Sequence, residues 1–192
     1  AGTGLQGHFT ADFRISRISS DGYIDRASSD LKSIYGSVAY IGEKNSLRLN
    51  VFSGKEKTYQ SWYGVSEADL AAGKRRMNSA GTEKPGDPYE NETDNYTQTH
   101  YQLFFNQQIK PSLHFNTAIF LTTGKGYYEQ YKAGRDFAEF GLPYPVNGND
   151  TTFEADFVRQ LWLDNDFYGN TFSLQYNGPK TEATLGGAYT RY

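Results

Sequence analysis

The side chains in this sequence best suited to molecular recognition are aromatic, and they fall in two groups. Tyr59, Trp62 and Tyr63 lie within Gly54-Lys-Glu-Lys-Thr-Tyr-Gln-Ser-Trp-Tyr-Gly-Val65, and Tyr127, Tyr128 and Tyr131 within Gly124-Lys-Gly-Tyr-Tyr-Glu-Gln-Tyr131. An indole or phenol offers a flat apolar face and one polar tip, which suits stacking on a planar ligand or a sugar. The same amphipathic shape suits a boundary that is apolar on one side and wet on the other. Two readings follow, ligand contact or an interfacial girdle, and the sequence leaves both open.

Bond-making chemistry finds no comparable support. There is no cysteine and no Gly-x-Ser-x-Gly elbow. Gly54-Lys, Gly73-Lys and Gly124-Lys lack the following Ser or Thr of a phosphate loop. His100 and His114 share one strand face, but a turn at Lys110-Pro111 sets His114 opposite about position 107, and no spacing resembles a zinc site. Asp87, Glu90, Glu92 and Asp94, and separately Asp164 and Asp166, lack the glycine and distal glutamate of a calcium loop and read as solvated charge. No catalytic residue, metal ligand or cofactor is expected, and the chain reads as non-enzymatic.

These residues must be held by elements that the composition already restricts. The 192 residues are 37% hydrophobic and 16% aromatic, with sixteen tyrosines, a skew that favours pleated surfaces over helical cores. Net charge is −3, which provides no basic field for nucleic acid. No apolar run is long enough for a transmembrane helix. A mean hydropathy of −0.71 does not exclude transmembrane strands, because alternation hides their apolar face from an average. Ala1-Gly-Thr-Gly opens almost directly in strand-like sequence with no signal peptide, which reads as a start inside a longer protein.

Period-two alternation dominates the chain. Phe9, Ala11, Phe13 and Ile15 oppose Asp12 and Arg14; Leu47, Leu49 and Val51 oppose Arg48 and Asn50. Tyr101, Leu103 and Phe105 oppose His100 and Gln102; Leu113, Phe115, Ile119 and Leu121 oppose His114 and Asn116. Short turns at Glu43–Ser46, Lys110-Pro111 and Asn177–Lys180 alternate with long links at about 19–30, 55–97 and 124–166. All long loops then leave from one rim. The predicted fold is all-β: an antiparallel meander of seven or eight strands, over residues 1–192, with the layout of an outer-membrane β-barrel wall. Within the second link, Ser66–Ala72 predicts a short helix capped by Ser66 and stopped by Gly73. Residues 153–163 place Phe157, Val158, Leu161 and Trp162 at helical spacing and read as a helical or irregular part of the third loop.

Four stretches carry a family resemblance: Ser20–Asp30, Lys57–Trp62, Gly124–Tyr131 and Trp162–Gly169. In that order, across nearly the whole chain, they resemble the barrel portion of TonB-dependent outer-membrane receptors. The resemblance implies a 22-stranded barrel with a separate N-terminal plug, of which this chain would supply about a third of the strands. It implies residence in the bacterial outer membrane and active uptake of a scarce or large solute, a siderophore, cobalamin or glycan. TonB would be engaged only through the plug, which this chain lacks, so energy transduction would not reside here. The Leu/Phe face would meet lipid, and the face of Asp12, Arg14, Arg48, Asn50, His100, Gln102, His114 and Asn116 would meet a polar lumen.

The main rival is a soluble β-sandwich that binds carbohydrate through its aromatic loops, which requires the Leu/Phe faces to bury against one another. A second is a small porin-like barrel of eight strands, closed on itself. An isolated wall segment would expose unpaired edges, so self-association is expected of it.

Overall fold

Alternating Thr, Tyr, Val, Phe and Leu hold most of the chain extended, and tight polar turns fold it back on itself. The computed structural model describes residues 2–4 and 7–192. One eight-stranded antiparallel sheet contains β1 (Gly2–Gly4), β2 (Phe9–Ser20), β3 (Ser29–Ile41), β4 (Asn45–Tyr59), β5 (Thr93–Lys110), β6 (Leu113–Asp136), β9 (Glu154–Asn177) and β10 (Glu182–Arg191). A helix, α1 (Glu67–Ala71), lies in the β4–β5 connection. A 3₁₀ turn (Phe137–Phe140) and a two-residue hairpin, β7 (Val146–Asn147) with β8 (Asp150–Thr151), fill the β6–β9 connection. Each strand of the large sheet pairs with the next of that sheet along the chain, the β7–β8 hairpin standing apart between β6 and β9, which gives a meander. The sheet is open, with β1 and β10 at its edges, so the small closed barrel is not formed.

The register makes the two faces explicit. Phe9, Tyr40, Leu47, Phe105, Thr117 and Phe172 form one lateral row. Ala11, Val38, Leu49, Leu103 and Ile119 form the next, and Phe13, Gly36, Val51, Tyr101 and Leu121 the one above it. The opposite face carries Asp12, Ser37, Asn50 and Gln102 in a row, tied by Ser37 Oγ to Asn50 Oδ1 at 2.8 Å. Burial runs against polarity. Phe13 is 71% exposed, Ile15 69% and Val38 56%, whereas Ser37 on the polar face is 4% exposed. Among the described residues the buried hydrophobics are Ala39, Tyr59 and Ala80. A soluble sandwich would cover Leu47, Leu49 and their row-mates with a second sheet; here they are exposed. No helix among the described residues is long and apolar enough to cross a membrane, which says nothing of strands.

The long connections span residues 21–28, 60–92 and 137–153, all at one rim, and the turns at 42–44, 111–112 and 178–181 lie at the other. The loops are shorter than the sequence suggests because strand pairing continues through polar sequence. Residues 55–59 belong to β4, 93–97 to β5, 124–136 to β6 and 154–166 to β9. Residues 153–163 are not helical. From Glu154 they are the first half of the 24-residue strand β9, which ends at the Asn177 turn and so keeps the rim parity. Their apolar side chains belong to both faces: Phe157 and Leu161 lie on one, Val158 and Trp162 on the other, and the sum mimics a helical stripe. The short helix forms as expected, with Ser66 Oγ accepting from Asp69 N–H and Gly73 left-handed at φ 78°.

Candidate functional site

β6 and β9 are 24 residues each, roughly 80 Å at strand rise, against 12 residues for β2 and 13 for β3. Their upper halves therefore stand above the rest of the sheet. β5 stops pairing β6 at Asp94–Tyr128 and would leave the β6 edge bare above that point. The 60–92 loop covers it. Gln60, 1% exposed, donates its side-chain amide to the Glu129 carbonyl at 3.1 Å, and its own N–H goes to the Glu92 carbonyl at 2.9 Å. The Glu129 carboxylate accepts from Tyr89 Oη, Asn91 Nδ2 and Gln160 Nε2 at 2.6, 2.6 and 2.7 Å. Burial, reinforced by that carboxylate, pushes the Tyr89 phenol up to about 12. Glu92 departs from the reading as solvated loop charge. Its carboxylate is buried, which raises its pKa, and it accepts from the Gly81 and Tyr131 amides.

A latch ties this loop to the 21–28 loop. Arg26, left-handed at φ 63°, donates Nη2 to the Asn78 and Ala80 carbonyls at 2.6 and 2.9 Å and Nε to Tyr59 Oη at 3.2 Å. Tyr59, 3% exposed, directs its hydroxyl at the Tyr89 carbonyl, 2.7 Å away. Gly81 is required beside it: a Cβ there would come within 2.4 Å of Tyr59 Oη.

Further out, Glu83 receives Lys132 Nζ at 2.7 Å and Arg135 Nη2 at 3.0 Å. Burial works to raise the Glu83 carboxyl, but these two cations outweigh it and hold the group below its ordinary value. A depressed carboxyl stabilises the fold above its unfolded-state pKa, and that contribution is lost as pH falls through the folded value. Glu83→Gln is therefore expected to speed amide exchange across residues 60–92 at about pH 7, by a factor that shrinks as pH falls through the titration of the folded carboxyl. A gap that does not narrow with falling pH would show that the ion pairs are not its source.

The structure separates the six aromatic candidates. Trp62, Tyr63 and Tyr128 come together on the polar-face side. Trp62 meets Tyr63 edge-on at 6.2 Å and Tyr128 at 6.1 Å, and both Trp62 and Tyr63 are more than half exposed. Tyr127 lies on the apolar-face side against Trp162, centroids 4.7 Å apart. Tyr131 packs on Tyr89 and bonds Asp156. Tyr59 is the buried latch residue, the last of β4 rather than a loop residue.

The first cluster contains two residues that sequence reasoning missed. Gln130 Nε2 donates to Tyr63 Oη at 3.2 Å, and Arg159 Nη2 donates to Gln130 Oε1. The Arg159 Nε is buried and has no partner. Strand parity was the available signal, since it places Arg159 on the polar face opposite Gln130; the helical reading of 153–163 hid it. The exposed indole and phenol offer flat faces to a planar ligand, and the Arg159 guanidinium, linked to Tyr63 through Gln130, sets a positive charge behind them that favours an anionic one. No cluster of three His, Asp or Glu among the described residues is placed to hold a metal. His100 instead stacks on Phe52 at 4.3 Å.

This architecture has solved counterparts. The chain is similar to the ferric-catecholate import receptor Fiu from Escherichia coli K12. To the closed form the TM-score is 0.66 at 15% identity, over 97% of this chain and 28% of that one. To the open form it is 0.65 at 14% identity, over 97% and 30%. The likeness is one of fold, an open antiparallel meander matching part of that receptor's β-barrel, and the chain spans less than a third of the receptor's length. No family model matches the chain, and no curated protein matches it in sequence.

Proposed function

We propose that these residues form part of the wall and outer rim of a TonB-dependent receptor in the bacterial outer membrane, which takes up a scarce solute of the siderophore class. The observation that carries the reading is the inverted burial: an uncovered apolar face of Phe9, Phe13, Ile15, Val38, Leu47, Leu49, Leu103 and Ile119 backed by a polar, more sheltered one. A transmembrane strand needs only about 9–11 residues, so the strands here are long enough to cross and to rise beyond the bilayer. The likeness to Fiu, described as a ferric-catecholate receptor, supports the cargo class, as does the Arg159–Gln130–Tyr63–Trp62 cluster. The role is capture and gating rather than catalysis, with TonB reached through a plug outside these residues.

Titration of the full receptor with a ferric catecholate, followed by tryptophan fluorescence, tests this. Arg159→Ala is expected to weaken binding about tenfold or more, the scale of one charged hydrogen-bonding partner, and Tyr127→Ala to leave it unchanged. Equal affinity of the wild type and Arg159→Ala would remove the cluster from the site. Preference for a neutral glycan over any ferric chelate would replace the cargo class.

A further inference from the structure

An asparagine followed by glycine is open to attack by its own backbone, because glycine places no Cβ beside the nucleophilic nitrogen. The chain holds two such pairs, Asn147-Gly148 and Asn177-Gly178, and the fold treats them oppositely. Asn147 ends β7 and faces Asp150 across a two-residue turn, with Gly148 left-handed at φ 64°. Residues 141–150 are all exposed, and nothing lies within 4 Å of where a Gly148 Cβ would stand. Among the described residues no acceptor meets the Gly148 N–H. At the other rim the second pair is held. The Gly178 N–H is donated to the Thr181 carbonyl at 2.9 Å and the Asn177 N–H to the Ser112 carbonyl at 2.8 Å. The Tyr176 hydroxyl stands over Gly178, 2.6 Å from where a Cβ would be.

We propose that Asn147 is a site of spontaneous deamidation, which adds a negative charge to the tip of the third loop and loosens its hairpin. The Gly148 nitrogen, having given its proton to hydroxide, bonds to Asn147 Cγ. The side-chain nitrogen takes a proton from water and leaves as ammonia, which regenerates the hydroxide. Water then opens the cyclic imide. Breaking the bond from nitrogen to Cγ restores the glycine amide and leaves aspartate. Breaking the bond from nitrogen to the backbone carbonyl carbon leaves isoaspartate, with the chain rerouted through Cγ. Water is the one co-reactant, and no oxidant or metal takes part. An aspartate at this position lies directly opposite Asp150, and like charges so paired repel. Isoaspartate instead lengthens the backbone of a stem that contains only two residue pairs, Val146 with Thr151 and Asn147 with Asp150.

The folded full-length protein is aged in mildly alkaline buffer, and its peptides are read by mass spectrometry for the gain of one mass unit and for isoaspartate at each asparagine. Asn147 is expected to react about tenfold faster than Asn177, the ratio set by one backbone hydrogen bond that must first break. In denaturant the two rates are expected to converge. Equal rates in the folded protein would overturn the proposal. A gap of undiminished size in denaturant would overturn it too, since the preference would then come from neighbouring residues and not from the fold. Loosening has its own readout in amide exchange across residues 146–151. Asn147→Asp is expected to raise that exchange about two- to fivefold, and aged wild type to move toward it. Aged Asn147→Ser, which cannot form the imide, is expected to exchange as the fresh variant does. Exchange in Asn147→Asp no faster than in fresh wild type would refute the loosening.

Discussion

On the proposed membrane reading, Leu103→Arg is expected to destabilise the inserted protein by about 2–4 kcal/mol, and Gln102→Arg, one residue earlier, by less than about 1 kcal/mol. Leu103 lies mid-row on the apolar face, between Leu49 and Ile119. A guanidinium there must either enter hydrocarbon or distort the bilayer to reach water. Gln102 points the other way, beside Asn50, whose amide lies a long 3.4 Å from Gln102 Oε1. An arginine at that position meets a polar surface and loses only a weak contact. Equilibrium denaturation in lipid vesicles measures both. Equal costs at the two positions would remove the sidedness from which the membrane reading is built, and a larger cost at Gln102 would reverse the assignment of faces.

The second large effect is expected at the loop latch. Arg26→Ala removes three donated hydrogen bonds, leaving the Asn78 carbonyl to find another donor and the Ala80 carbonyl to the Tyr59 hydroxyl at 3.2 Å. Alanine also retains the strain of a left-handed backbone. Local opening of residues 60–92 should become easier by about 3 kcal/mol, a roughly hundredfold rise in amide exchange across that loop. Arg26→Lys, with a single ammonium in place of a fork, should recover only part of the protection. Exchange confined to residues 21–28 would mean that Gln60 and Asn78 hold the larger loop unaided.

The sheet was legible in the sequence where one of its faces is apolar and the other polar. Leu47, Leu49 and Val51 against Arg48 and Asn50 state the faces outright, and the Lys110-Pro111 and Asn177-Gly-Pro turns state the rim. The upper strands were not legible for the same reason. Above the apolar rows both faces are wet or loop-covered, so Lys55, Thr97 and Lys125 pair as strand without showing any alternation of polarity. Residues 153–163 misled in the opposite sense. Phe157 is covered by Phe137 and Phe140 from the third loop, while Trp162 on the other face rests on Tyr127, so both sides are apolar. The aromatic candidates were found as residues but not as a site. Their grouping depends on how a distant loop lies along the β6 edge, and the partners that matter, Arg26 and Arg159, act over separations that local pattern does not reach.

The Gly124-Lys-Gly126 stretch also has a spatial meaning. Tyr96 lies across both glycines, its hydroxyl reaching Asn165 Oδ1 at 3.2 Å, and a Cβ on Gly126 would fall 2.1 Å from the Asn95 carbonyl oxygen. The aromatic ring takes the place of side chains that the ribbon omits at that level.

The meander order sets the route by which such a wall is assembled. Since every lateral partner is the next strand of this sheet along the chain, with only the small β7–β8 hairpin intervening before β9, each added strand has a template already in place, and no segment has to thread past another. The hairpins that turn at 111–112 and 178–181 close over a few residues, whereas pairing Tyr59 with Thr93 must close the whole of 60–92. By chain statistics that closure costs about 2.5 kcal/mol more than a two-residue turn. Joining β4 to β5 is thus the entropically dearest pairing in the sheet. The contacts that Gln60 makes with Glu92 and Glu129 at the mouth of that loop fall where they offset it.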